Sequence, residues 1–219
     1  MTLSEFSSIF VHEVRTPLSS ATMYANLASE ALEKGASDDL EMLLGRLIPA
    51  LDSCSKLVDE LQALGRADRD VELGPVDLNS LLERVVNDLR FEIEDAKATV
   101  NVGDLPRVKG NADSLASVFT HLIRNGLQYS HDDVPPVVEI QQNGDSNVLI
   151  SDNGIGISGG DEEKIFEPFH RTHQKRDQAG MGLGLPVSRL LMQSLGGKLD
   201  LKSTGETGSV FELKIPATD

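Results

Sequence analysis

Residues 14–61 read VRTPLSSATMYANLASEALEKGASDDLEMLLGRLIPALDSCSKLVDEL, and the spacing of their apolar side chains decides the N-terminal fold. Val14, Leu18, Ala21, Ala25, Ala28 and Leu32 step by four and three residues in alternation. Leu40, Leu44, Leu47, Leu51, Cys54, Val58 and Leu61 do the same. A seam of this period lays two helices side by side at a small crossing angle. Between them Lys34-Gly35-Ala36-Ser37-Asp38 breaks the pattern, with Gly35 as the helix stop and Ser37 as the next N-cap. The result is an antiparallel helical hairpin. Two helices with apolar seams cannot enclose a core, so a second copy is expected to complete a four-helix bundle, making a homodimer. Pro17 and Pro49 fall inside these helices. Each removes a backbone N–H and crowds the carbonyl four residues earlier, so a kink is expected at Pro17 and a bend near residues 45–49.

The whole chain has 219 residues, 39% of them hydrophobic and 25% charged, which suits one large domain or two small ones. No apolar run reaches the length of a membrane-spanning helix, and the first residues lack the basic-then-apolar pattern of a secretory signal. A lone Cys54 leaves no intrachain disulfide and fits a reducing, cytoplasmic compartment. The formal charge of −15 is spread over both halves: residues 1–66 hold 5 Lys+Arg against 10 Asp+Glu. Such a surface excludes nonspecific nucleic-acid binding, and a chain with no Trp and two Tyr offers little to stack on bases.

Residues 66–76 (RADRDVELGPV) are polar and contain a Gly-Pro pair, so they read as a boundary. This divides the chain into a helical domain at 1–66, a linker at 67–76 and a second domain at 77–219. Within the second domain the patterns predict a helix at 77–95 capped by Asp77, a strand near 98–103 and a helix over 111–129. Strands follow at 136–143 and 146–152, with Asn143-Gly144-Asp145 as their turn. A short helix near 161–166, a polar stretch at 172–179, a helix over 182–195 and strands at 197–203 and 209–215 complete it. Helices with mostly antiparallel strands make an α+β layer domain.

Four segments carry chemistry. In Val11-His12-Glu13-Val14-Arg15-Thr16-Pro17-Leu18, His12 lies about 200° round the helix from Val14 and therefore faces water. An exposed imidazole beside a carboxylate is a usable nucleophile, with Glu13 able to take the ring proton. Thr16, one turn on, stands where it can position a water for hydrolysis. In His121-Leu-Ile-Arg-Asn125-Gly-Leu-Gln128-Tyr129 the amide oxygen of Asn125 is a suitable hard ligand for Mg2+. Asp152-Asn-Gly154-Ile-Gly156 follows a strand, placing a carboxylate to meet an exocyclic amine while the glycines admit close backbone approach. Gly180-Met-Gly182-Leu-Gly184-Leu185 opens a helix, whose free amides form an anion site. Between the last two, Arg171 precedes a glycine-bracketed polar loop, a candidate lid with a cation for a terminal phosphate.

In this order the segments resemble the sensor histidine kinases of two-component systems. VHEVRTPL resembles the H box, HLIRNGLQYS the N box, SDNGIGI the G1 box, IFEPFHR the F box and GMGLGLPV the G2 box. The resemblance implies a dimerisation and phosphotransfer bundle, then an α/β sandwich ATP-binding domain of the GHKL type from residue 74 onward. It further implies His12 as phosphoacceptor, Glu13 as general base and Thr16 at the polar position of the phosphatase motif. Asn125 matches the Mg2+ ligand, Asp152 the adenine-binding aspartate and Arg171 an arginine near the γ-phosphate. Gln128, Tyr129, Gly154, Gly156, Gly180, Gly182, Gly184 and Leu185 complete the implied nucleotide site. ATP and Mg2+ are the implied cofactors, and a response-regulator receiver domain the implied partner, with input from a sensor domain or a separate sensor protein.

Three departures stand out, one of them Met181, which replaces a small residue in the G2 box. His121 occupies a position where many members have a second asparagine, and Gln128 one where a phosphate-contacting lysine is usual. Losing that lysine removes a point charge and leaves an alternative: a histidine phosphotransferase or phosphatase with a weak or inactive nucleotide domain. Chaperone and mismatch-repair GHKL ATPases lack a helix like that of residues 11–18.

Overall fold

The computed structural model describes residues 3–67, 72–171 and 182–217. It divides into two units, Met1–Gln62 and Ala63–Asp219.

In the first unit α1 (Leu3–Lys34) and α2 (Ser37–Ala67) form the expected hairpin. Gly35 adopts φ +69°, which a residue with a Cβ resists, and ends α1 there. Its N–H donates to the Leu32 carbonyl at 3.1 Å, while Ala36 N–H reaches the Ala31 carbonyl at 2.9 Å. This pair of bonds is a Schellman stop, sealed by Ala36 packing against Ala28, Ala31 and Leu43. The Ala36 carbonyl already accepts from Leu40 N–H at 3.1 Å, so Ala36 holds the cap position and Ser37 is the first residue of α2. The expected Ser37 cap is thus displaced by one residue, because the same two residues close one helix and open the next.

Both helices stay continuous across Pro17 and Pro49. Side-chain bonds occur in the same turns, from Thr16 Oγ1 to the His12 carbonyl at 3.1 Å and from Ser53 Oγ to the Pro49 carbonyl at 2.9 Å. Among the hairpin residues whose burial is described, the buried positions are Ala21, Ala28, Ala31, Leu43 and Leu57. Leu18, Leu32, Leu44, Leu51 and Val58, which the heptad reading assigns to the seam, are exposed in the single chain. The inward positions therefore run partly one residue out of step with that reading. Helices of a bundle meet two neighbours, so their apolar face is wider than one seam, and the hairpin uses only one flank of it.

The second unit takes in the end of α2 and then β1 (Gly74–Asp77), α3 (Leu78–Asp88), α4 (Arg90–Asp95), β2 (Thr99–Val102) and β3 (Arg107–Gly110). Then come α5 (Ala112–Gln128), β4 (Val137–Asn143), β5 (Asn147–Asp152) and a 3-10 turn at Lys164–Phe166. α6 (Gly184–Ser194), β6 (Lys198–Gly205) and β7 (Gly208–Lys214) complete it. Five strands form a sheet in the order β2-β4-β5-β7-β6, antiparallel except for the β2–β4 pair. β1 and β3 form a separate antiparallel pair with Gly74 opposite Gly110. Residues 74–76, read as linker, are thus built into this unit. Short polar strands of this kind carry no period long enough to recognise.

Asp77 caps α3, its Oδ1 accepting from Asn79 N–H at 3.0 Å and Ser80 N–H at 3.3 Å. The single helix expected over 77–95 is broken at Leu89, which is buried. α4 then runs separately and is tied to α5 by Glu92, which takes a two-pronged bond from Arg124 with a shortest distance of 2.7 Å. Tertiary packing, not a glycine or proline, makes this break. One face of the sheet meets the helices: Leu78, Leu81, Leu82, Leu115, Phe119, Ile123, Val187 and Leu191 are buried, as are Val138, Ile140, Val148, Ile150, Leu199 and Leu213. Each such side chain contributes about 1.5–3 kcal/mol through the apolar area it removes from water.

Candidate phosphoacceptor and nucleotide sites

In the first unit His12 is exposed on α1, with Glu13 partly buried beside it and Thr16 exposed one turn on. The Thr16 hydroxyl proton is committed to the His12 carbonyl, so its lone pairs remain to accept a bond from a water. A solvent-facing imidazole on a rigid helix has the access a nucleophile needs.

In the second unit the other segments gather along α5. Asn125, Gln128 and Tyr129 occupy its last turns, each partly exposed. Gly126 lets α5 lie directly on the sheet: a Cβ there would come 2.6 Å from Val138 Cγ2 and 3.3 Å from Asp152 Cβ. Asp152 ends β5. Its Oδ1 accepts from Gly154 N–H at 2.9 Å and Ser209 N–H at 3.2 Å, which fixes the carboxylate and leaves Oδ2 for another donor. Ile155 N–H donates to the Tyr129 carbonyl at 2.9 Å, stitching the Asp152 loop to the end of α5. A Cβ on Gly154 would come 2.4 Å from that same carbonyl oxygen, and one on Gly156, at φ +66°, 2.0 Å from the Gly205 carbonyl. The loop's path is therefore open only to glycine at these two places.

Sequence reasoning missed the floor of this site. Thr204 Oγ1 accepts from Ile157 N–H at 2.8 Å and lies 3.2 Å from Ser209 Oγ, so the β6–β7 hairpin braces the Asp152 loop. The signal that would have found it is Gly208, whose added Cβ would overlap the Asp152 carbonyl. Only the pairing of β5 with β7 makes that meaning visible.

One turn before Asn125 on α5, His121 packs over Gly184, the first residue of α6. Leu185 follows in the same turn. Gly182, at φ +70°, accepts from Phe169 N–H through its carbonyl at 2.9 Å, so the segment ending at Arg171 and the approach to α6 meet there. Arg171 acts electrostatically on Tyr129: burial pushes the phenol up from its usual 10.0, and the guanidinium pulls it back. Gly180 and the whole of the expected lid at 172–179 lie outside the described residues. The structure thus brings Asn125, Tyr129, Asp152, Gly154, Gly156, Arg171, Gly182 and Gly184 into one unit, while His12, Glu13 and Thr16 belong to the other.

Asp152 also titrates differently from a surface carboxylate. Burial raises its pKa above the usual 3.8, and the Gly154 and Ser209 amides only partly oppose this. The folded chain therefore holds this proton more tightly than the unfolded chain. The stability linked to it is fully present below pH 3.8 and is lost as pH rises through the higher folded value. Asp152→Asn removes the titration. The expected result is that the melting temperature of the wild type relative to Asp152→Asn falls as pH rises above 3.8; a difference independent of pH would contradict it.

The second unit thus holds a carboxylate fixed by two amides at a strand end, a loop passable only by glycine and a glycine-flanked helix start, and the first an exposed-histidine hairpin. Comparison with known proteins agrees. Residues 2–70 match the family model described as His Kinase A (phospho-acceptor) domain. Residues 110–219 match that described as Histidine kinase-, DNA gyrase B-, and HSP90-like ATPase. The chain belongs to the sensor histidine kinases of two-component systems.

It is 30% identical to the sensor protein kinase WalK of Staphylococcus aureus over 97% of its own length and 53% of that protein. It is 28% identical to the phytochrome-like protein Cph1 of Synechocystis over 98% of its own length and 29% of that protein. The chain thus spans about half or less of these relatives. Among solved structures, histidine kinase AdeS of Acinetobacter baumannii superposes with a TM-score of 0.67 at 23% identity, covering 95% of this chain and 98% of that one. Histidine kinase ThkA, in complex with response regulator protein TrrA, gives 0.70 at 22% identity, covering 99% and 62%. These two likenesses establish the fold.

Proposed function

We propose that this chain is an ATP-dependent protein-histidine kinase that phosphorylates its own His12 and passes the group to an aspartate of a response-regulator receiver domain. The observation that carries this reading is the exposed His12-Glu13 pair in a chain whose other unit holds Asp152 in a glycine-cut cradle. The His12 ring nitrogen forms a bond to the γ-phosphorus as the bond to the β–γ bridging oxygen breaks and ADP leaves. The ring's N–H proton passes to the Glu13 carboxylate. Asp152 Oδ2 accepts from the adenine amine, Tyr129 and Gln128 flank the nucleotide, and the Gly182–Leu185 amides face its phosphates. Mg2+, held through the Asn125 amide oxygen, would neutralise phosphate charge. Arg171 steadies the terminal phosphate, and Thr16 orients a water for the reverse hydrolysis of the regulator's phosphoaspartate.

Phosphoacceptor function is assigned to residues 1–66 and nucleotide binding to the unit that begins at β1. The site of action is cytoplasmic, with input from a sensor domain or sensor protein. Among the described residues no helix is long and apolar enough to cross a membrane. The test is incubation with γ-labelled ATP and Mg2+, then with candidate receiver domains. Acid-labile label that moves to a receiver is expected. A chain that binds no nucleotide analogue would favour the phosphotransferase or phosphatase alternative, and one that binds the analogue but takes up no label would end the kinase reading.

The homodimer rests on the outer flank of the hairpin, where Leu18, Leu44, Ile48, Leu51 and Val58 are all exposed in the single chain. Leu57, 1% exposed, packs within the hairpin, whereas Leu51 is 50% exposed. Leu57→Ala is expected to cost about 2–4 kcal/mol of stability. Leu51→Ala is expected to weaken association, read as a rise in the dimer dissociation constant by sedimentation. A monomeric wild type, or a Leu51 variant that dimerises normally, would contradict the assignment.

A further inference from the structure

Ser188, in the second turn of α6, is completely buried. Its Oγ lies 3.0 Å from Nδ1 of His121 on α5. A buried hydroxyl requires an acceptor for its proton, and Nδ1 at this distance is placed to be one. If Nδ1 accepts, the neutral ring carries its own proton on Nε2. The same ring covers the start of α6: a Cβ on Gly184 would stand 3.5 Å from His121 Cγ, 3.6 Å from its Cβ and 3.7 Å from its Cδ2. One face of the ring therefore fills the space over Gly184, while Nδ1 reaches Ser188 one turn further on. His121 also precedes Asn125 by one turn of α5, on the same side of that helix. The departure from asparagine at position 121 is thus matched by a buried serine across the helix pair.

We propose that His121 and Ser188 form a positioning pair that sets the separation between Asn125 and the amide-bearing first turn of α6, and through it the affinity for nucleotide. The proposal rests on the nucleotide-binding reading above. Neither residue is required to touch the nucleotide: the hydrogen bond holds α5 and α6 in register, and Asn125 and the Gly182–Gly184 backbone do the binding. With Ser188 as the donor, the bond also selects one tautomer of the ring. A polar bond between two helices already packed through apolar side chains adds direction, which dispersion contacts lack.

The test has two arms on the full chain. In the first, 15N NMR of the histidine-labelled protein reads which ring nitrogen of His121 carries the proton. Nε2–H is expected in the wild type and a mixture of tautomers in Ser188→Ala; Nδ1–H in the wild type would overturn the proposal, and this readout stands even if a variant fails to fold. In the second, calorimetry measures binding of a nonhydrolysable ATP analogue with Mg2+ to His121→Ala, Ser188→Ala and the double variant. Each single change is expected to weaken binding about fivefold, with the double variant no worse than the weaker single. His121→Asn, whose Oδ1 falls near the place of Nδ1, is expected to restore most of the affinity, and His121→Gln is not. Additive effects, unchanged affinity with only a lowered melting temperature, or equal rescue by Asn and Gln would refute it. A wild type that binds no nucleotide while showing the expected tautomer would instead bring down the reading on which the proposal rests, and the positioning role with it.

Discussion

His12→Ala is expected to lower incorporation of label from γ-labelled ATP by more than about a thousandfold, to background. The change removes the attacking atom itself, and losing a nucleophile costs more than losing any group that only orients it. The side chain is exposed on α1, so the fold should hardly register the loss, with a stability change within about 0.5 kcal/mol. Analogue binding should also be unaltered, since Asp152, Asn125 and the glycine cradle lie in the other unit. The combination is diagnostic: chemistry gone, folding and nucleotide affinity intact. Acid-labile label persisting on the variant would move the phosphoacceptor to another residue and undo the assignment of residues 11–18.

Asp152→Asn is expected to cut nucleotide affinity about a hundredfold while leaving the domain folded. The Asn amide oxygen can still accept from the Gly154 and Ser209 amides, so the loop keeps both of its anchors. Its NH2 group then takes the place of Oδ2 and faces the adenine amine, donor against donor. A charge-assisted bond worth about 1.5–3 kcal/mol is lost and an unpaired polar group is added. Asp152→Ala should behave differently. It strands two backbone donors, each costing about 1–3 kcal/mol if left unsatisfied, so it should lose stability along with affinity. Calorimetry with a nonhydrolysable ATP analogue and Mg2+, beside thermal melts of both variants, separates recognition from scaffolding. An Asn variant that binds within twofold of the wild type would remove Asp152 from the adenine site.

Much of the architecture was legible because it rests on period and punctuation. The hairpin follows from the alternation of four and three and from Gly35. The β4–β5 hairpin follows from Asn143-Gly144-Asp145, where Gly144 takes φ +76°. Asp77 announced its own helix. What misled was local ambiguity. The run 77–95 keeps a helical pattern through Leu89, yet the buried Leu89 and the Glu92–Arg124 tie turn it into two helices. β1 and β3 are four residues each and half polar, too short for any period to declare itself.

The sequence by itself determined the boxes, their order and their chemistry, because a nucleophilic imidazole, a carboxylate after a strand and glycines before a helix can be read from residue type and neighbours. Tertiary structure alone decided which flank of the helical hairpin is buried, that Thr204, Gly208 and Ser209 brace the Asp152 loop, and that His121 meets Ser188. Those are encounters between residues up to 67 apart in the chain. Local propensity acts over a few residues, whereas such meetings depend on how the sheet orders its strands and how α5 and α6 cross its face.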